Sequence, residues 1–205
     1  MTPELVDTCT SIFSNVATGV TAIALVVIAI KGLQAWRQQM VGQSRYEAAR
    51  RLLLLARRFR GAFGRSRGPA TRSNEYAERP RGEDETPAQK QVLDEQYARL
   101  NRLQPAADIL AELEQAVWEA EVVTGEALVQ LAKPFGLVLQ ELNLAIVKHF
   151  YLRSEVANGH TITKQQAKEQ QRLTKLIYEP HEDDLTRRVD EALAALEEHL
   201  KKYIR

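Results

Sequence analysis

The sequence predicts an all-α protein: an N-terminal transmembrane helix, a long basic juxtamembrane helix and a cytoplasmic antiparallel helical bundle. Three observations carry that expectation. Residues 8–30 are 23 consecutive positions without a charged side chain. From residue 43 onward, apolar residues recur every three or four positions, the period of a helix, and no convincing strand appears. The charges are segregated: the formal net charge is +1, yet residues 31–82 carry a net +10 and residues 83–205 a net −7. The average therefore describes neither region, and the basic stretch asks for a partner of opposite sign.

Residues 1–7, with Glu4 and Asp7, read as a short extracytoplasmic N-terminus. The span follows at residues 8–30, with its apolar core from Val20 to Ile30. At about 1.5 Å per residue its length matches a hydrocarbon core of about 30 Å. A cleaved signal peptide needs a basic n-region and a small-residue cleavage site. Here the n-region is acidic and Lys31-Gly32-Leu33-Gln34 follows the apolar run, so the segment reads as an uncleaved signal anchor. The basic C-terminal flank predicts an outside N-terminus and a cytoplasmic C-terminal region. Lys31, Trp36 and Arg37 lie where interfacial anchors sit. Ser11, Asn15, Thr18, Ala22 and Ala29 share a narrow stripe at about 100° per residue. Small, weakly polar side chains let helices approach closely in lipid, so self-association through this stripe is expected.

Residues 31–63 form the basic helix, which can continue directly from the span. Ala49, Leu52, Leu53, Ala56, Phe59 and Phe63 share one face, and Arg50, Arg51, Arg57 and Arg58 gather on the other. Three partners are open for those arginines. Anionic lipid headgroups reward a nearby Lys or Arg by about 1 kcal/mol and are the favoured reading. The acidic C-terminal region is complementary in charge. Nucleic acid is the least expected, because it would not require the apolar stripe.

The order Trp36-Arg37-Gln38-Gln39, then Tyr46-Glu47-Ala48-Ala49-Arg50-Arg51-Leu52-Leu53, then an arginine-rich stretch ending Arg67-Gly68-Pro69, resembles a group of uncharacterised bacterial single-span membrane proteins. The resemblance covers residues 31–70, about a fifth of the chain. It implies a bacterial inner-membrane setting and no activity.

Residues 64–87, rich in Gly, Pro and charge, read as a flexible linker. Within it Glu83-Asp84-Glu85 reads as a solvated charge cluster. The bundle is expected over residues 88–205. Its first helix, residues 88–104, places Leu93, Tyr97, Leu100 and Leu103 on one face, and Pro105 opens a second helix that ends at Gly125. Trp118 reads as partly buried beside that helix's stripe. Leu128, Leu131, Phe135, Val138, Leu142, Ala145, His149 and Leu152 then alternate by three and four as a coiled-coil-like seam. Leu137, Leu139, Leu144, Ile146 and Phe150 widen that seam, and Pro134 should kink or break it near its start. Thr163 with Gln166 reads as a capping box, and Glu182, Asp183 and Asp184 suit the positive end of a last helix, which buries Leu185, Val189, Leu193, Leu196 and Leu200.

No catalytic or metal signature emerges, so no enzyme activity, cofactor or metal is expected. Cys9 has no neighbouring histidine, and His149, His160, His181 and His199 form no ligand spacing. His149 reads as a hydrogen-bonded core histidine. The expected role is a non-enzymatic, self-associating scaffold that tethers a helical interaction module to the membrane. Its partners would be membrane lipids, a second copy of itself and a cytoplasmic protein. The alternative is a membrane effector or small channel, for example in phage defence, acting through an oligomerised span.

Overall fold

The computed structural model describes the backbone at residues 3–69, 72–178 and 183–204, with side chains from residue 25 onward within those ranges. Five α-helices follow one another: α1 Pro3–Ser66, α2 Pro87–Thr124, α3 Val129–Ala157, α4 Lys164–Tyr178 and α5 Asp184–Ile204. A single 3-10 turn, Ser73–Tyr76, sits in the connection between α1 and α2. The expected all-α architecture and helical bundle are present, and the described residues contain no strand. Among the described residues no helix is long and apolar enough to cross a membrane. Most of the expected span, residues 8–24, lies outside the described side chains, as do Ser11, Asn15, Thr18, Ala22 and Cys9.

The chain divides into two compact units, Met1–Ser44 and Arg45–Arg205. In the first, α1 stands alone, and every side chain from residue 25 to residue 44 is exposed. The second is the bundle. Its boundary corrects the expected division, in which residues 31–63 preceded a bundle confined to 88–205. From residue 45 onward α1 is a bundle helix. Ala49, Leu52, Ala56, Phe59 and Phe63 are buried at alternating steps of three and four. Phe59 stacks on Phe63 at 5.9 Å and meets the edge of Phe135 from α3 at 5.4 Å. The apolar stripe expected on this helix is thus covered by the chain's own core.

Each helix has a local reason for its ends. The Thr86 side chain accepts from Gln89 N and the Gln89 side chain accepts from Thr86 N, a capping box with Pro87 in the first turn. Gly125 ends α2 at φ 73°, a left-handed conformation that costs glycine nothing. The N-terminus of α3 lacks a cap of its own; Glu121 of α2 accepts from Leu128 N at 2.6 Å and Val129 N at 2.9 Å instead. Thr163 and Gln166 form the expected capping box of α4, at 2.8 and 3.2 Å. Asp183 caps α5 by accepting from Thr186 N at 3.0 Å.

Two prolines depart from expectation. Pro105 does not open a new helix: α2 runs unbroken through it. The missing donor costs one backbone bond, but Leu103, Ala106, Ile109 and Leu113 on either side all reach the same core. Pro134 likewise lies inside α3 and does not break it.

In the bundle α3 is central, packing against α2, α4 and α5. Its seam is placed as expected. Leu128, Phe135, Val138, Leu142, Ala145, His149 and Leu152 are buried, and Leu131 packs half-buried against the same cluster. The widening is one-sided. Leu139, Ile146 and Phe150 are buried, whereas Leu137 and Leu144 are exposed because no helix covers that side. Trp118 is also exposed, a further departure, since it projects from α2 away from the α3 contact.

Candidate interaction site

The described part of α1 before the bundle is an apolar helix with no cover. Leu25 is 61% and Ile28 65% exposed, and Val26, Val27 and Ile30 are exposed between and beside them. Apolar side chains thus point in every direction round this helix, a pattern found where the surroundings themselves are apolar. Among the residues expected at the interface, Lys31, Trp36 and Arg37 follow and are exposed. Ala29, the one member of the small-residue stripe whose side chain is described, is exposed as well.

The arginines of α1 within the bundle correct the favoured lipid reading. Arg51 pairs with Glu119, Arg57 with Glu197 at 2.7 Å and Arg58 with Glu112 at 3.3 Å. Arg60 holds Asp190 through two bonds, at 2.8 and 3.2 Å. The basic excess of this arm is therefore answered inside the chain by α2 and α5. Such exposed pairs each contribute no more than about 1 kcal/mol. Their value is in matching one helix to its neighbours. Arg50 is exposed.

The connection between α1 and α2 is more closely held than its composition suggests. Arg67 is buried and bonds at both ends of the α4–α5 junction. Its Nε and Nη2 donate to the Leu176 carbonyl at 3.1 and 2.6 Å, and its guanidinium meets both Asp183 oxygens at 2.8 and 2.5 Å. Burial alone would raise the Asp183 carboxyl, but bonds from Arg67 and Thr186 hold it below the ordinary aspartate value. Arg79 forks between Asp94 at 2.6 Å and Glu85 at 2.6 and 2.8 Å, and this pairing holds Glu85 down to about 2. Glu85, expected as part of a solvated cluster, is thus an internal partner. Arg102 takes Glu75 at 2.6 and 2.7 Å and the Gly68 carbonyl at 2.8 Å. Arg99 donates to the Gly68 and Pro69 carbonyls and lies over the Tyr178 ring at 4.4 Å. Planar guanidinium forks order a segment whose apolar content alone could not.

At the other end of the bundle, Glu126 gathers the end of α5. It accepts from Lys202 at 2.6 and 2.8 Å and from Tyr203 at 2.8 Å, and lies 2.6 Å from His199 Nε2. Lys202 foremost, then Tyr203, hold its carboxyl down to about 2. With every partner a donor, Glu126 is spent as a fastening rather than poised as a base.

His149 is 4% exposed, and its ring meets Phe150 edge-on at 5.1 Å and Tyr178 at 6.0 Å. It is the core residue expected, with one correction: Nδ1 has no hydrogen-bond partner. Burial above all, reinforced by the Arg153 and Arg99 charges and only partly offset by Glu95, pushes its pKa down to about 4 from 6.5. The fold therefore prefers neutral imidazole. Below pH 6.5 the unfolded chain takes up a proton that the native chain refuses, so stability falls as pH drops from 6.5 toward 4. The expected total loss is on the order of 3 kcal/mol. Urea midpoints of wild type and His149→Leu between pH 7 and 5 check this. Wild type should lose stability across that window, and the variant should be flatter.

Among the described residues no cluster of three or more His, Cys, Asp or Glu side chains is arranged to hold a metal ion. A groove of about 1030 Å³ lies between the end of α1 and α5. Its charged lining is already engaged, Arg60 with Asp190 and Arg187 with Glu191. Sequence reasoning missed Arg67, Arg79, Arg99 and Glu126. For Arg99 a signal existed: with Val92, Leu103 and Ala106 it falls on the buried face of α2. No family model, no curated protein and no solved structure matches this chain.

Proposed function

We propose that the chain is a single-pass, membrane-anchored helical interaction module, non-enzymatic and self-associating, that presents its bundle on the cytoplasmic side of a bacterial inner membrane. One observation carries the reading: residues 25–30 are helical, apolar on all sides and fully exposed. An aqueous surround would penalise such a surface at about 25 cal/mol per Å², whereas lipid removes the penalty. These residues end the uncharged run of residues 8–30, and Lys31, Trp36 and Arg37 supply its flank. A core pinned by ion pairs, with its carboxylates tied to arginines and lysines, suits a rigid module better than a reaction centre.

The test is membrane fractionation with alkaline extraction, followed by accessibility of cysteines placed at residue 3 and in α5. The chain is expected to stay in the membrane pellet at high pH, with only the N-terminal cysteine labelled from outside intact cells. Complete release by alkali would overturn the anchor.

A further inference from the structure

We propose that residues 26–43 of α1 pair with the same residues of a second copy of this chain, in parallel and in register, as a short coiled coil that leaves the membrane surface. Val26, Ala29, Leu33, Trp36 and Met40 succeed one another at steps of three, four, three and four, the a/d spacing of a coiled-coil seam. They line one face because α1 is helical throughout this range. Leu33 is 58%, Trp36 57% and Met40 47% exposed, so three large apolar side chains of the seam face solvent in a single copy. A lone helix cannot bury its own stripe.

The charges choose the occupant. Lys31 and Arg37 both lie off the a and d positions, so the seam itself is uncharged. In a parallel pair the flanking g and e′ positions bring Gly32 opposite Arg37 and Gln39 opposite Ser44, and neither pairing sets like charges together. Gly32 has open space where a Cβ would stand, which leaves room for the longer Arg37. Gln43, the next d residue, pairs amide to amide only when the two copies are in register. A seam built from one sequence is complementary to itself, because the same knobs meet the same holes. Only Ala29 is shared with the small-residue stripe of the span. The parallel direction rests on the anchoring reading: two chains inserted with one topology present α1 the same way up.

The experiment is a cysteine scan of positions 31–44 in the full-length Cys9→Ser chain, crosslinked by mild oxidation in membranes. Each sample is also tested for alkaline extraction. Crosslinked dimer is expected to peak at positions 33, 36, 40 and 43, severalfold above positions 34, 38 and 41. A flat profile, or peaks at 34, 38 and 41, overturns the seam whether or not the chain is anchored. Peaks at the seam positions in a chain that alkali releases keep the pairing and overturn the anchor alone. As a second check, Leu33→Glu, Trp36→Glu and Met40→Glu combined should abolish crosslinking through Gln43→Cys, with the helical circular dichroism of the bundle retained. Undiminished crosslinking in that variant also overturns the proposal.

Discussion

Arg67→Met is expected to lower the stability of the bundle by about 3–5 kcal/mol, the cost of leaving a partner charge buried and unpaired. Methionine keeps much of the volume, so the loss is chiefly electrostatic. Asp183 would keep its partly buried position without the guanidinium that holds its carboxyl below the ordinary value. The Leu176 carbonyl at the end of α4 would lose two donors. For a chain of this size the melting temperature should fall by roughly 10 °C or more. Circular dichroism of the detergent-solubilised full chain measures it. Adding Asp183→Asn should restore part of the loss, because it removes the orphaned charge. An unchanged melting temperature in Arg67→Met would show that α1 does not fasten the α4–α5 junction.

Phe59→Ala tests the assignment of residues 45–66 to the bundle and should cost about 3–5 kcal/mol. Phe59 is fully buried, stacked on Phe63 and edge-on to Phe135, so truncation opens a cavity where α1 meets α3. Leu54, on the same helix, is half exposed, and Leu54→Ala should change stability by no more than about 0.5 kcal/mol. A helix lying on lipid headgroups would give the opposite result, with neither substitution altering the unfolding of the remaining helices. Urea unfolding of both variants beside wild type decides between the two placements.

The helices themselves were legible because their signals are local. The capping boxes at Thr86 and Thr163, the left-handed Gly125 and the α3 seam each depend on residues within a turn or two of one another. The interaction site was legible only where it is a property of α1 by itself, the uncharged run ending at Ile30 and its basic flank. What escaped was pairing at a distance. Arg51, Arg57 and Arg58 look like headgroup ligands in a linear reading, because nothing in the linear order of residues says that Glu119, Glu197 and Glu112 will stand beside them. Pro105 looks like a boundary because its local cost is visible and the burial of Leu103 and Ala106 on either side is not.

The chain's sequence by itself determined that it is helical, where most helices begin and end, and that its first forty residues differ in kind from the rest. Periodicity, capping and turn conformation act over a few residues, so they can be read one segment at a time. Tertiary structure alone decided that residues 45–66 complete the bundle, that Arg67, Arg79 and Arg99 are interior residues and that Leu137 and Leu144 face outward. Burial and ion pairing are set by which helix lies against which. An arginine becomes a core residue only when packing removes its water and places carboxylates and carbonyls in reach of its fork.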